Sequence, residues 1–137
     1  MGKRVWLFAL VLLYLIVCFP KTLGEVRNAR MPQQKTFIIM VSRNGFNSTD
    51  QFNITVNQGD QVTITFVYDD GDLQTDNPHR MTIDGFDIHT GVINKANPSV
   101  TVKFLADQSG SFNFYCVIYC VGMDKLQSGN LIVIPSS

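Results

Sequence analysis

Two cysteines separated by three residues stand out in Phe112-Asn113-Phe114-Tyr115-Cys116-Val117-Ile118-Tyr119-Cys120-Val121-Gly122-Met123-Asp124. Two thiols on one loop can converge on a metal ion, and soft sulfur donors favour Cu(I), zinc or the iron of iron–sulfur clusters. Zinc and iron–sulfur sites ordinarily take four protein ligands. The chain has only 3 Cys and 2 His in all, and Cys18 lies far from the pair in sequence. A C-x-x-C-H haem attachment motif is absent. A disulfide between Cys116 and Cys120 would close a very small loop with little gain in chain entropy, so stapling is a poor explanation for them. Two Cys, a few Met and a His in a domain of this kind match copper best, with inert buried thiols or a disulfide as the alternative.

The elements that must hold this loop read as β-strands. Short runs rich in β-branched and aromatic residues recur at Lys35 to Val41, Phe52 to Val56, Gln61 to Tyr68, Arg80 to Ile83, Ser99 to Leu105, Ser111 to Cys116 and Asn130 to Ile134. Val62-Thr63-Ile64-Thr65-Phe66 and Val100-Thr101-Val102-Lys103-Phe104 alternate apolar and polar residues, which puts one face in a core and the other in water. Gln58-Gly59-Asp60, Asp70-Gly71-Asp72 and Gln108-Ser109-Gly110 are turn signals between runs. No stretch after residue 30 sustains a helical period. The expected fold is all-β, a Greek-key sandwich or barrel. It occupies residues 35–137 as one domain, with Phe112, Phe114 and Tyr115 as core and sheet residues.

The strand Val56-Asn57-Gln58-Gly59-Asp60-Gln61-Val62-Thr63-Ile64, the loop Asp76-Asn77-Pro78-His79, the strand Thr101 to Phe104, the turn Asp107-Gln108-Ser109-Gly110 and the Cys-x-x-x-Cys segment together resemble a cupredoxin. Within that family the chain resembles the dinuclear copper domain, called CuA, of cytochrome oxidase subunit II and nitrous oxide reductase. The resemblance covers roughly residues 54–134. It implies one or two copper ions as cofactor, with His79 binding copper, Cys116 and Cys120 as bridging thiolates, and the Ile118 backbone carbonyl as a further ligand. The family then expects a His four residues after the second Cys and a Met three further on, where this chain has Asp124 and Gln127. Three replacements present themselves: the Asp124 carboxylate, a hard donor poorly suited to Cu(I); the Met123 thioether; and His89, if the loop Asp84 to Asn97 folds over the site.

Ahead of the domain, Lys3 and Arg4 precede an unbroken apolar run from Val5 to Phe19. That pattern reads as a signal peptide or a short membrane anchor over residues 1–24. At about 1.5 Å per residue a helix of that run falls short of the about 30 Å hydrocarbon core. Residues 25–34 read as a linker. The basic flank places the domain outside the cytoplasm, secreted, periplasmic or held at the cell surface. There the sequons Asn47-Ser48-Thr49 and Asn53-Ile54-Thr55 would be usable.

The whole chain of 137 residues balances 11 basic against 11 acidic residues, which excludes the basic excess expected of a nucleic-acid partner. Lys3, Arg4 and Lys21 lie in the leader and no carboxylate does, so the domain itself is mildly acidic. Asp69, Asp70, Asp72 and Asp76 crowd the approach to His79. They are expected to give the metal end negative potential, which in the family steers a basic cytochrome c, although Asp also suits turns. Three functions follow as expectations. The first is one-electron transfer with a cytochrome c or a terminal oxidase as partner, catalysis residing in another subunit. The second is a Cu(I) carrier or assembly factor. The third is a metal-free interaction module on the same fold.

Overall fold

The computed structural model describes residues 30–136; the expected leader and residues 25–29 of the expected linker lie outside the described residues. Among the described residues nine strands form in chain order: β1 Gln34–Ser42, β2 Gly45–Phe46, β3 Phe52–Asn57, β4 Gln61–Tyr68, β5 His79–Ile83, β6 Ile88–Ile93, β7 Ser99–Leu105, β8 Gly110–Cys116 and β9 Gly129–Ile134. A single 3-10 turn, Met123–Leu126, separates β8 from β9.

The strands make two mixed sheets, one ordered β2-β1-β4-β7 and the other β3-β9-β8-β5-β6. β1 runs parallel to β4 and β3 parallel to β9, while the remaining neighbours are antiparallel. Parallel neighbours need a long connection, so each of these pairs forces the chain across to the other sheet and back. The all-β sandwich is as the sequence predicts.

Alternation decides which residues enter the core. Along β4, Val62, Ile64, Phe66 and Tyr68 are buried and the residues between them are not, the period of two that strand geometry imposes. Phe114 of β8 lies at the centre, its ring edge-on to Phe46 at 4.9 Å and to Phe52 at 6.4 Å, and tilted against Phe66 at 6.2 Å. The core is therefore built around the residue two positions before Cys116, and the cysteine continues the same inward face.

Two strands go beyond the seven expected. β2 is only two residues long, too short for any periodic signal. β6 holds Gly91 and His89, which dilute a strand signal, yet it pairs with β5 in the register His79↔Ile93 and Thr82↔His89, with a shift between Arg80 and Thr82. The segment expected as a loop that could fold over the cysteines is thus an edge strand. The end of the expected linker is tied down as well: Gln34 opens β1, and the backbone N–H of Gln33 donates to Asp60 Oδ1 at 3.1 Å.

Candidate metal centre

β8 ends at Cys116 and β5 begins at His79, and the register Met81↔Cys116 sets the two strand ends side by side. The ladder runs one step further, Val117 N–H donating to the Arg80 carbonyl at 2.9 Å. The chain then turns through Ile118 and Tyr119 so that Cys120 returns inward. Cys116 and Cys120 are both free thiols and both buried, with Sγ atoms 3.7 Å apart. A ligand nitrogen of His79 and the two Sγ atoms all lie within 4.8 Å of one another. Among the described residues this is the group of His, Cys and carboxylate donors able to hold a metal ion.

His79 is completely buried, and its two ring nitrogens have different fates. Nε2 lies 2.9 Å from Asp70 Oδ2. Nδ1 is buried without a hydrogen-bond partner, an arrangement that normally costs stability unless another ligand engages the atom. Burial opposes charge on the ring, but Cys116 and Asp70 outweigh it and raise His79 above the ordinary imidazole value.

The thiols are driven apart. Burial pushes Cys116 up, yet His79 and the backbone groups of Arg80 and Ile118 prevail and hold it below the ordinary thiol range. Cys120 is held above that range, first by burial and then by the charge of its neighbour Cys116. One thiolate is thus stabilised beside the His79 ring, one nitrogen of which has no hydrogen-bond partner.

A polar cluster connects the two ligand loops. The side chain of Asn77 works as a clasp: Nδ2 donates to the Val121 carbonyl at 3.1 Å, and Oδ1 accepts the Val121 N–H at 2.8 Å. The same Nδ2 donates to Asp70 Oδ2 at 2.7 Å. From the turn after β1, Arg43 reaches Asp70 through its backbone N–H, at 3.0 Å from both carboxylate oxygens, and through Nη1 at 3.3 Å. Its guanidinium also forks onto Asp72 at 2.9 and 2.7 Å. Gly122 closes the cysteine loop at φ 77°, where a Cβ would overlap the Arg43 carbonyl.

The other residues singled out in the sequence take these places. The Ile118 carbonyl lies 3.5 Å from Cys116 Sγ. Met123 is half-buried against the core at the start of the 3-10 turn. Asp124 is exposed and outside the His79, Cys116 and Cys120 group. Gln127 spends its amide on the Cys116 carbonyl at 3.0 Å and the Met123 carbonyl at 3.1 Å. His89 is held elsewhere, with Nδ1 3.0 Å from Thr82 Oγ1 and Nε2 3.4 Å from Asp87.

The acidic approach to His79 also needs correction. Asp69 and Asp76 are exposed, but Asp70 is fully buried and Asp72 is paired with Arg43. Asp70 is the residue that sequence reasoning missed as part of the site. The signal was present: the inward alternation Val62, Ile64, Phe66, Tyr68 continues to position 70.

Neither a protein-family model nor a curated protein matches the sequence. Solved structures do. A copper nitrite reductase from Nitrosomonas europaea is similar with a TM-score of 0.56 and 19% identity, over 74% of this chain and 42% of that one. The multicopper oxidase mgLAC gives 0.58 and 24% over 76% and 40%. A blue copper oxidase from Nitrosomonas europaea gives 0.56 and 22% over 76% and 40%. The fold is that of a cupredoxin. At this level of identity the cupredoxin likeness is one of fold, and the chain spans about two fifths of the length of these neighbours. In this chain the donor group sits at the end of the sandwich where β5 begins and β8 ends. No helix among the described residues is long and apolar enough to cross a membrane.

Proposed function

We propose that this domain binds copper through His79, Cys116 and Cys120 and serves in one-electron transfer outside the cytoplasm. The observation that carries the reading is the buried triangle of one imidazole and two thiols in which His79 Nδ1 lacks any other partner. Two sulfurs and one nitrogen form a soft donor set suited to copper, and three convergent donors fall short of the closed four-ligand set of a structural zinc site. Copper when bound supplies the redox change; the protein supplies orientation and exclusion of water. His79 and the two cysteines are withdrawn from solvent, and Asn77 holds their loops together, so the donors are positioned before an ion arrives.

The outer surface of the loop supports contact with a redox partner such as a cytochrome c or a terminal oxidase. Val117, Tyr119 and Val121 are 41%, 91% and 60% exposed while Cys116 and Cys120 turn inward. The basic n-region and apolar run of residues 1–24 support export, with the segment either removed or retained as an anchor.

Copper titration of the purified chain is expected to produce intense thiolate-to-copper absorption that Cys116→Ser abolishes. No tight binding under either reducing or oxidising conditions would overturn the reading. EPR would decide between a CuA-like pair, with hyperfine structure spread over two copper nuclei, and a single ion.

One observation favours a second reading, carriage of Cu(I). At the two positions where the CuA resemblance expects outer ligands, Asp124 faces solvent and Gln127 is committed to backbone carbonyls. A site without those ligands would release its ion more readily. Colourless Cu(I) binding with rapid exchange to a chelator supports carriage; reversible redox cycling with strong colour supports electron transfer.

A further inference from the structure

Asp70 receives only donors. Its carboxylate accepts the backbone N–H and Nη1 of Arg43, Nδ2 of Asn77 and, at 2.9 Å, Nε2 of His79. The identity of the Asn77 donor is fixed independently, because the Oδ1 of the same amide accepts the Val121 N–H. An ionised carboxylate has no proton to give, so the shared contact assigns the Nε2 proton to His79. Both side chains are fully buried, which removes water as a competitor for that proton. The remaining nitrogen, Nδ1, is buried without a hydrogen-bond partner, and a ring nitrogen of His79 lies within 4.8 Å of both Sγ atoms.

We propose that Asp70 is a positioning residue for the metal: by holding the Nε2–H of His79 it commits Nδ1 to the ion and increases the electron density that the ring donates. The proposal rests on the copper reading above. Buried carboxylates behind metal-binding histidines act in this way, and their loss typically costs about 10–100-fold in metal affinity. Here the carboxylate comes from the segment just after β4 of one sheet and the histidine from the start of β5 in the other, so the pair also bridges the sandwich at the donor end. The carboxylate's negative charge favours the more highly charged state of the ion and lowers its reduction potential.

Two measurements on the full chain test this. In metal-free, reduced protein at a pH where the ring is neutral, long-range proton–nitrogen NMR is expected to find His79 as the Nε2–H tautomer. A ring protonated at Nδ1 instead would overturn the proposal without reference to copper or to any variant. Asp70→Asn, which keeps the size but adds a donor, is expected to weaken copper binding about 10–100-fold and to raise the reduction potential. A merely structural role would leave that potential unmoved. Unchanged affinity and potential in a folded Asp70→Asn chain would refute Asp70 as a positioning residue and leave the copper site standing. A wild-type chain that binds no copper would refute the copper reading and with it the metal-directed role, even where the tautomer is as expected.

Discussion

At the scale of residues, the site works by making two identical side chains unlike. Cys116 ends a strand, next to the His79 ring and to backbone groups that favour its thiolate, whereas Cys120 faces that thiolate across 3.7 Å of buried space. In the metal-free, reduced protein, thiolate absorbance is therefore expected to rise in two separated steps as pH increases. The first, from Cys116, falls below the ordinary thiol range and the second, from Cys120, well above it. Cys120→Ser should retain the first step, and Cys116→Ser should remove it. A single step at the ordinary value accounting for both thiols would contradict the asymmetry. The thiol pair and His79 were legible in the sequence because Cys-x-x-x-Cys is rare chemistry in a chain with so few cysteines. Asp70 was not, because an aspartate beside Gly71 also reads as an ordinary turn residue, and only the alternation of the preceding strand separates the two meanings.

At the scale of elements, the ligand loop depends on a close backbone approach. Gly122 has φ 77°, and Arg43 presents its carbonyl where a side chain would have to go. Left-handed backbone costs a non-glycine residue about 1–3 kcal/mol, and the overlap with Arg43 adds to that. Gly122→Ala is expected to lower the unfolding free energy by at least this amount, read from the fall in denaturant midpoint, and to weaken copper binding, since the displaced loop carries Cys120 and the Val121 end of the Asn77 clasp. An unchanged midpoint would show that the loop can move away freely. Strand content was readable in seven segments because alternation and turn residues agreed. β6 escaped notice because it lies at the edge of its sheet, where Gly91 and the exposed His89 are tolerated and pairing with β5 outweighs local preference. Its formation holds His89 against Thr82 and Asp87.

On the scale of the whole molecule, the two sheets divide the labour. β5 and β8 of one sheet carry His79 and Cys116, while the other sheet sends Asp70 from the segment just after β4 and Arg43 from the turn after β1. This cross-sheet arrangement could not be read from the sequence, since nothing local says that position 43 and position 122 touch. The sandwich class could be read, because the seven expected strands carry their own signals of alternation and bounding turns.

The crossing of the sheets at the metal end has a kinetic consequence. Contacts between residues so distant along the chain form only after the intervening segments have closed, and such closure is slow and entropically costly. The Asp70 and Arg43 contacts that brace the donor triangle cross between the sheets, so the completed triangle is expected only once both sheets have docked. An ion that binds only the completed triangle stabilises the native state but not the transition state before it. Copper is expected to slow unfolding in proportion to its affinity and to leave the refolding rate unchanged, as read from the two limbs of a chevron plot. Faster refolding with copper would mean that the cysteines capture the ion early and template the fold. On the expected outcome, copper cannot recruit the chain into its native form; it can only prolong the lifetime of molecules that have already reached it.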